Sequence, residues 1–145
     1  MVKSDKYMRK ILMITLLHLI VFILIQLFSF VRVLKIFGYF LLTSKEEFSK
    51  QDIFWLASYY DSIISSSLFR NPSCLETALM LIFILNWRGI PTEFCLGVSQ
   101  SDGNLTAHAW LTFRGEVLGN VFQADEFVKV FSSSKPIQVD VRRKF

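Results

Sequence analysis

Residues 71–91, with the sequence NPSCLETALMLIFILNWRGIP, decide the fold because they carry the signals for both ends of one helix. Ser73 followed by Glu76 has the spacing of a capping box, and an apolar run comes after it. Gly89, with Pro91 just beyond, is typical of a helix end. The pattern predicts a helix from about residue 74 to residue 88 that starts at Cys74.

Cys74 therefore has a physical reason to be reactive. The free N–H groups and the dipole at a helix start stabilise a thiolate, and the same groups can help to hold an oxyanion. A lone cysteine is more often a small buried hydrophobe, which is how we interpret Cys95. What favours a nucleophile is His108 in the strand-like run 107–111, because a histidine in an apolar strand needs partners for its ring nitrogens.

A third side chain should orient the His108 ring. Asn120 is the first candidate and Asp125 is the reserve. A three-residue loop at 113–115 with a bulge would place His108 opposite Asn120 on one face of the sheet. A two-residue turn would instead pair His108 with Val121 and put Asn120 on the other face. The sequence leaves both alternatives open.

The rest of the chain reads as helices followed by strands, an α+β fold. A capping box at 44–47 and near-helical apolar spacing predict a helix from about residue 45 to 65. The hydrophobic period then changes to two, which predicts an antiparallel meander. Its strands are expected at 94–99, 106–113 and 116–122, with one more edge strand at 137–141.

Composition points to an unusual amino-terminal region. Of the 145 residues, 52% are hydrophobic and 19% are charged, against roughly 25% charged in ordinary soluble domains. Residues 11–31 contain no charge, and as one helix they would be about 30 Å long, which matches a bilayer core. A helical wheel places the polar residues of this run on one narrow face, a polar seam. The seam consists of Thr15, His18, Gln26 and Ser29.

Such a helix suits either a membrane or a docking position on the protein itself. More positive charge precedes residues 11–31 than follows them, so a spanning helix would put the Cys74 region outside the cell. We favour a cytoplasmic protein whose residues 11–31 associate with the membrane or dock on the domain. His18 is interpreted as a seam residue rather than a ligand, and no metal or cofactor is expected.

Size and charge limit the remaining classes. The chain is long enough for one domain, with an amino-terminal basic and apolar segment at 1–44 and a catalytic domain at 45–145. The net charge of +4 comes largely from the two ends, which favours an anionic surface or simple solvation, and no nucleic-acid partner is expected. Two cysteines allow one disulfide at most, so a reduced compartment fits better.

Several short pieces of the sequence, taken together, resemble the transglutaminase-like cysteine peptidases of bacterial lasso-peptide biosynthesis. The resemblance covers roughly residues 28–131 and implies a transglutaminase-like (papain-like) core. The pieces that carry it are FVRVLK at 30–35, RNPSCL at 70–75, RGIP at 88–91, LGV at 96–98, AHAWL at 107–111, and Gly115.

The resemblance implies a peptidase that removes the leader from a ribosomally made precursor. Cys74 would be the nucleophile and His108 the general base, and Asn120 stands where the family usually carries Asp. An amide can orient the ring, but it adds no negative charge to stabilise an imidazolium. The implied partners are the leader of the precursor, a separate small leader-binding protein and an ATP-dependent cyclase that closes the macrolactam ring. The alternative is a membrane-associated accessory protein on the same fold that has lost catalysis.

Overall fold

The computed structural model describes residues 2–38, 48–119 and 126–133 of the chain. Within these ranges helices come first and an antiparallel sheet follows, as the α+β prediction requires. The helices are α1 Val2–Leu27, α2 Phe30–Gly38, α3 Lys50–Ile64 and α4 Cys74–Trp87. The strands are β1 Glu93–Ser101, β2 Asn104–Phe113, β3 Glu116–Leu118 and β4 Val128–Ser132, and they lie side by side in the order β3-β2-β1-β4.

Helix α4 has the boundaries that residues 71–91 predict. Ser73 is extended, its hydroxyl accepts a hydrogen bond from the Glu76 N–H at 3.3 Å, and its own N–H donates to the Glu76 carboxylate at 2.7 Å. At the other end Gly89 has a φ of 76°, the left-handed backbone that glycine adopts without strain. The capping box is confirmed, and Cys74 is the first residue of the helix.

Helix α3 begins later than predicted. Residues 48 and 49 are not helical, and Ser49 is the N-cap, forming a capping box with Asp52. The sequence contains the same motif at 44–47, which lies outside the described residues and does not start this helix. The predicted start was wrong because the chain carries a second capping-box pattern at Ser49 and Asp52, and the helix begins there.

Both hairpins of the sheet turn through two residues with positive φ. Asp102 and Gly103 connect β1 to β2, and Arg114 and Gly115 connect β2 to β3, with φ of 51° and 83° in the second turn. Because Phe113 pairs with Glu116 across this turn, Thr112 pairs with Val117. The three-residue loop with a bulge is therefore wrong, and the two-residue alternative is the one observed.

The outer strands also differ from the prediction. β3 ends at Leu118, earlier than expected, and β4 pairs with β1 at a place where no strand was predicted. The alternation of Val128, Lys129 and Val130 was the available signal for β4. The edge strand expected at 137–141 lies outside the described residues.

The charge-free run 11–31 is not a single helix. Helix α1 ends at Leu27, and a new helix, α2, begins at Phe30. At its start the Ser29 carbonyl accepts from the N–H groups of Arg32 and Val33. α1 still holds a segment, Ser4–Leu27, that is long and apolar enough to cross a membrane by length and composition, with a mean hydropathy of 2.4 in its most apolar window.

One side of α1 nevertheless packs against α3 and α4. Its seam residue Thr15 accepts from the Leu68 N–H at 3.1 Å, and His18 is hydrogen-bonded to Ser67 at 2.8 Å. This part of the seam therefore docks on the domain itself, whereas Gln26 is exposed.

α4 lies at the centre of the hydrophobic core. Leu79, Met80 and Leu85 on this helix are fully buried, and the same core includes Phe94 and Leu111 on one face of the sheet. Burial of such side chains is worth about 1.5–3 kcal/mol each and holds α4 against the sheet. Helix α4 is thereby positioned beside β2.

Candidate active site

Cys74 lines a cavity between the start of α4 and strand β2. The side chain is half-buried, the thiol is free, and the cavity has a volume of about 370 Å³. α4 contributes Cys74, Thr77, Ala78 and Leu81 to its lining, and β2 contributes the consecutive residues 108–111. Pro72, Leu118, Gly119 and Asp61 complete the lining. Cys74 and His108 are thus brought to the same cavity.

The His108 ring is held among aromatic side chains. Its centroid lies 5.2 Å from that of Phe127 and 6.1 Å from that of Trp110, whose ring is nearly parallel to it at 20°. Burial lowers the pKa of His108 below its ordinary value of 6.5, because desolvation disfavours the charged ring. The ring is therefore neutral at neutral pH, the state that a general base needs.

Alternation along β2 limits how His108 meets Cys74. Ala109 and Leu111 belong to the core that α4 and Cys74 pack against, so His108 and Trp110 face the other side of the sheet. The last described pair of β2 with β3 is Leu111 with Leu118, and the cavity lies along β2 beyond it. Within the described ranges no hydrogen bond joins the Cys74 thiol to the His108 ring. Cys74 and His108 therefore line one cavity but start from opposite faces of β2.

Gly97 makes room for these aromatic rings. It pairs with His108, and a Cβ on Gly97 would lie 2.7 Å from the Trp110 ring and 3.0 Å from the Cβ of Phe127. Any larger residue would push Trp110 away from its position beside His108. The glycine of the run 96–98 is therefore required by packing.

Asp61 is a residue of this cavity that the sequence reasoning missed. Its carboxylate oxygen lies 3.2 Å from where a Cβ on Gly119 would be. A signal was present, because Asp61 continues the four-residue spacing of the buried residues Ile53 and Ala57 on α3. An acid on the inward stripe of a helix is unusual enough to mark a site.

Glu76 connects the start of α4 to the amino-terminal helix. It is 4% exposed, it accepts from the Ser73 N–H, and it forms an ion pair with Arg70. Oε2, the Glu76 oxygen that accepts from Ser73, also lies 3.6 Å from Nε2 of the fully buried His18, too far for a hydrogen bond. Nε2 has no hydrogen-bond partner in the described part of the chain. A contact from α1 therefore reaches the cap that positions Cys74.

Comparison with known protein families gives one match. Residues 50–132, which hold α3, α4 and the whole described sheet, match the transglutaminase-like superfamily. The chain belongs to the transglutaminase-like superfamily. No curated protein and no solved structure matches it significantly. The superfamily includes cysteine peptidases, and its match covers both Cys74 and His108.

Two of the predicted site residues, Asn120 and Asp125, lie outside the described residues. Cys95, the second cysteine of this transglutaminase-like domain, is fully buried on β1. Burial raises the pKa of its thiol, so the thiol stays protonated at neutral pH, which agrees with a structural role. In the described ranges no group of three or more His, Cys, Asp or Glu is placed to hold a metal ion.

Proposed function

We propose that this protein is a cysteine peptidase that removes the leader peptide from a ribosomally made lasso-peptide precursor. The observation that carries the proposal is a cysteine at the capped start of a helix that shares a cavity with a histidine on β2. The superfamily supports the peptidase class, and the resemblance of residues 28–131 to lasso-peptide leader peptidases supports the substrate.

The chemistry follows from the residue types. The His108 ring takes the thiol proton of Cys74, and the sulfur attacks the carbonyl carbon of the peptide bond that follows the leader. The free N–H groups at the start of α4 hold the oxyanion of the tetrahedral intermediate. The imidazolium then returns the proton to the leaving amine, and water releases the leader from the thioester. In the register that a two-residue turn sets, Asn120 would lie on the other face of the sheet from His108, so its amide would orient the ring only once the ring has turned toward Cys74.

One feature of the geometry favours a second candidate function. The His108 ring lies on the face of β2 opposite to Cys74, so catalysis requires the ring to turn toward Cys74 when substrate binds. A protein whose ring never turns would be an accessory binding protein on the same fold. Iodoacetamide distinguishes the two, because an activated Cys74 reacts at neutral pH and an inert one only at alkaline pH.

Partners and location belong to the same proposal. The peptidase binds the precursor leader with the help of a separate small leader-binding protein, and an ATP-dependent cyclase closes the macrolactam ring of the product. It works in the cytoplasm and associates with the membrane through the apolar segment within residues 11–31. The length and hydropathy of α1 support this association.

The decisive test compares the two cysteines. Cys74→Ala should abolish leader removal while the protein stays folded, whereas Cys95→Ala should keep activity if it folds. Mass spectrometry of the precursor co-expressed with the peptidase and the leader-binding protein measures cleavage, and circular dichroism reports folding. Normal cleavage by Cys74→Ala would refute the peptidase assignment.

The pH dependence tests the role of His108. Because burial lowers the pKa of His108, the protonated, inactive ring should accumulate only below pH 6.5. The acid limb of kcat/KM should therefore have its midpoint below 6.5. The free energy of unfolding should also fall as the pH falls. The reason is that His108 binds protons more readily in the unfolded chain than in the folded protein. A midpoint above 6.5 would contradict a neutral, desolvated His108.

A further inference from the structure

A second cavity lies on another side of the molecule, among α1, α3 and α4. Its volume of about 480 Å³ is within the range of small-molecule sites, about 300–1,000 Å³. We call it the helical cavity, and its described lining includes neither Cys74 nor His108. Its apolar wall includes Ile14, Leu17, Ile63, Phe83, Ile84 and Trp87.

Two cations, Lys10 and Arg88, also line the helical cavity. Lys10 Nζ donates to the Tyr59 hydroxyl at 2.8 Å, and Arg88 Nη2 donates to the Tyr60 hydroxyl at 2.7 Å. Among the described residues neither cation forms an ion pair with a carboxylate. The two tyrosines hold the positive charges in place without neutralising them, so the complementary ligand is an anion.

The surface beside the helical cavity is apolar as well. Met13, a wall residue on α1, is 71% exposed, and it borders a stripe of exposed side chains at three- and four-residue intervals. We call this stripe the outer stripe of α1. It consists of Met8, Leu12, Leu16, Ile20, Ile23 and Leu27. Lys6 and Arg9 are exposed at its amino-terminal end.

The docked position of α1 decides how it can meet a bilayer. Between Lys10 and Phe22, about 18 Å along the axis, its other side contacts the domain, including the charged side chain of Arg70. A spanning orientation would carry these polar groups into hydrocarbon, which is costly. An orientation parallel to the surface puts the outer stripe into the lipid and leaves the domain in water.

From these observations we propose that the helical cavity binds one acyl chain of an anionic membrane lipid. The chain occupies the apolar wall, and the head group meets Lys10 and Arg88. Charge complementarity and continuity with the outer stripe favour a membrane lipid over a soluble ligand. The proposal goes beyond the peptidase function and does not depend on it.

Fluorescence quenching by brominated lipids tests the site in the full-length protein. The Trp55→Phe variant leaves Trp87, which lines the cavity and is 53% exposed, and the buried Trp110 as the only tryptophans. Vesicles of phosphatidylcholine and chain-brominated phosphatidylglycerol should quench Trp87. Vesicles of brominated phosphatidylcholine alone should quench it far less. Adding Trp87→Phe should remove the quenching.

Matched charge variants separate the cavity from the rest of α1. Lys10→Gln combined with Arg88→Gln should raise the vesicle concentration needed for half-maximal quenching roughly thirtyfold. Each cation near a lipid surface is worth about 1 kcal/mol, or roughly fivefold in affinity, and the two factors multiply. Lys6→Gln combined with Arg9→Gln removes the same number of charges at exposed positions outside the cavity. This control should bind vesicles more weakly but still show full quenching of Trp87 at saturating vesicle concentration. Equal loss of quenching in both pairs would overturn the cavity and leave only a charged surface.

Three results with the Trp55→Phe protein overturn the proposal without further variants. Equal quenching by both vesicle types would show that the anionic head group is not recognised. Quenching by free brominated decanoate but not by vesicles would assign the cavity to a soluble fatty acid. If vesicles leave Trp87 unquenched and a leader peptide of the precursor shifts its emission, the occupant is a polypeptide.

Discussion

Helices α3 and α4 both start with a capping box, but the two capping boxes have different surroundings. Both have a serine N-cap and an acid that returns a hydrogen bond to the cap backbone, Ser49 with Asp52 and Ser73 with Glu76. Asp52 is exposed and bonds only to Ser49 among the described residues. Glu76 is buried and also contacts Arg70 and His18.

The difference shows how a catalytic helix start can be built from an ordinary one. A capping box satisfies the first backbone N–H groups of either helix. Only at α4 is the acid buried away from water. Loss of any of its hydrogen-bond or ion-pair partners there would leave a buried charged group unsatisfied and would lower the stability of the protein. The start of α4 is therefore tied to residues that are distant in sequence, and the start of α3 is not.

The largest expected effect comes from removing the two acids. Glu76→Ala should lower the free energy of unfolding by about 3 kcal/mol, because it removes the buried acceptor of the Ser73 N–H and the ion-pair partner of Arg70. Asp52→Ala should cost about 1 kcal/mol, the value of an exposed cap. Urea denaturation measures both. Equal losses would mean that burial adds nothing to the α4 cap.

A double-mutant cycle isolates the contact with α1. His18→Ala and Glu76→Ala should show a coupling energy of about 1–2 kcal/mol, because their side chains are in contact. The pair Asp52→Ala and His18→Ala should show about zero coupling, since these residues share no contact. Coupling near zero in the first cycle would show that α1 does not support the cap.

The smallest expected difference concerns the two serines. Ser73→Ala and Ser49→Ala should each cost about 1 kcal/mol, since both hydroxyls bond only within their own capping box. Thermal unfolding of the two variants under the same conditions gives the comparison. A loss at Ser73 several times larger would place the serine itself in the network around Glu76.

The sequence predicted the features that depend on neighbouring residues. The limits of α4, the cap at Ser73 and the order of helices before strands are all confirmed. Arg114 with Gly115 adopts the positive φ of a two-residue turn, which was one of the two stated alternatives. These features follow from backbone geometry over a few residues, so the local sequence contains enough information.

Other predictions failed where a local pattern had two solutions. The sequence has one capping-box pattern at 44–47 and another at Ser49 and Asp52, and α3 begins at the second. The run 11–31 had the length of one helix, but it is divided where α2 begins, and the Phe30 ring there packs against Phe94 and Phe131 of the sheet. Asp61 was overlooked because helical spacing marks an inward position without showing which cavity it reaches.

By itself, therefore, the sequence determined where α4 starts, that Cys74 stands at that start, and that His108 lies on a strand of an antiparallel sheet. The tertiary structure alone decided that Glu76 is buried beside His18, that α1 docks through Thr15 and His18 of its seam, and that His108 faces away from Cys74 across β2. The reason is physical. Caps and turns are decided by neighbouring residues, whereas burial and strand faces depend on contacts between residues far apart in the chain.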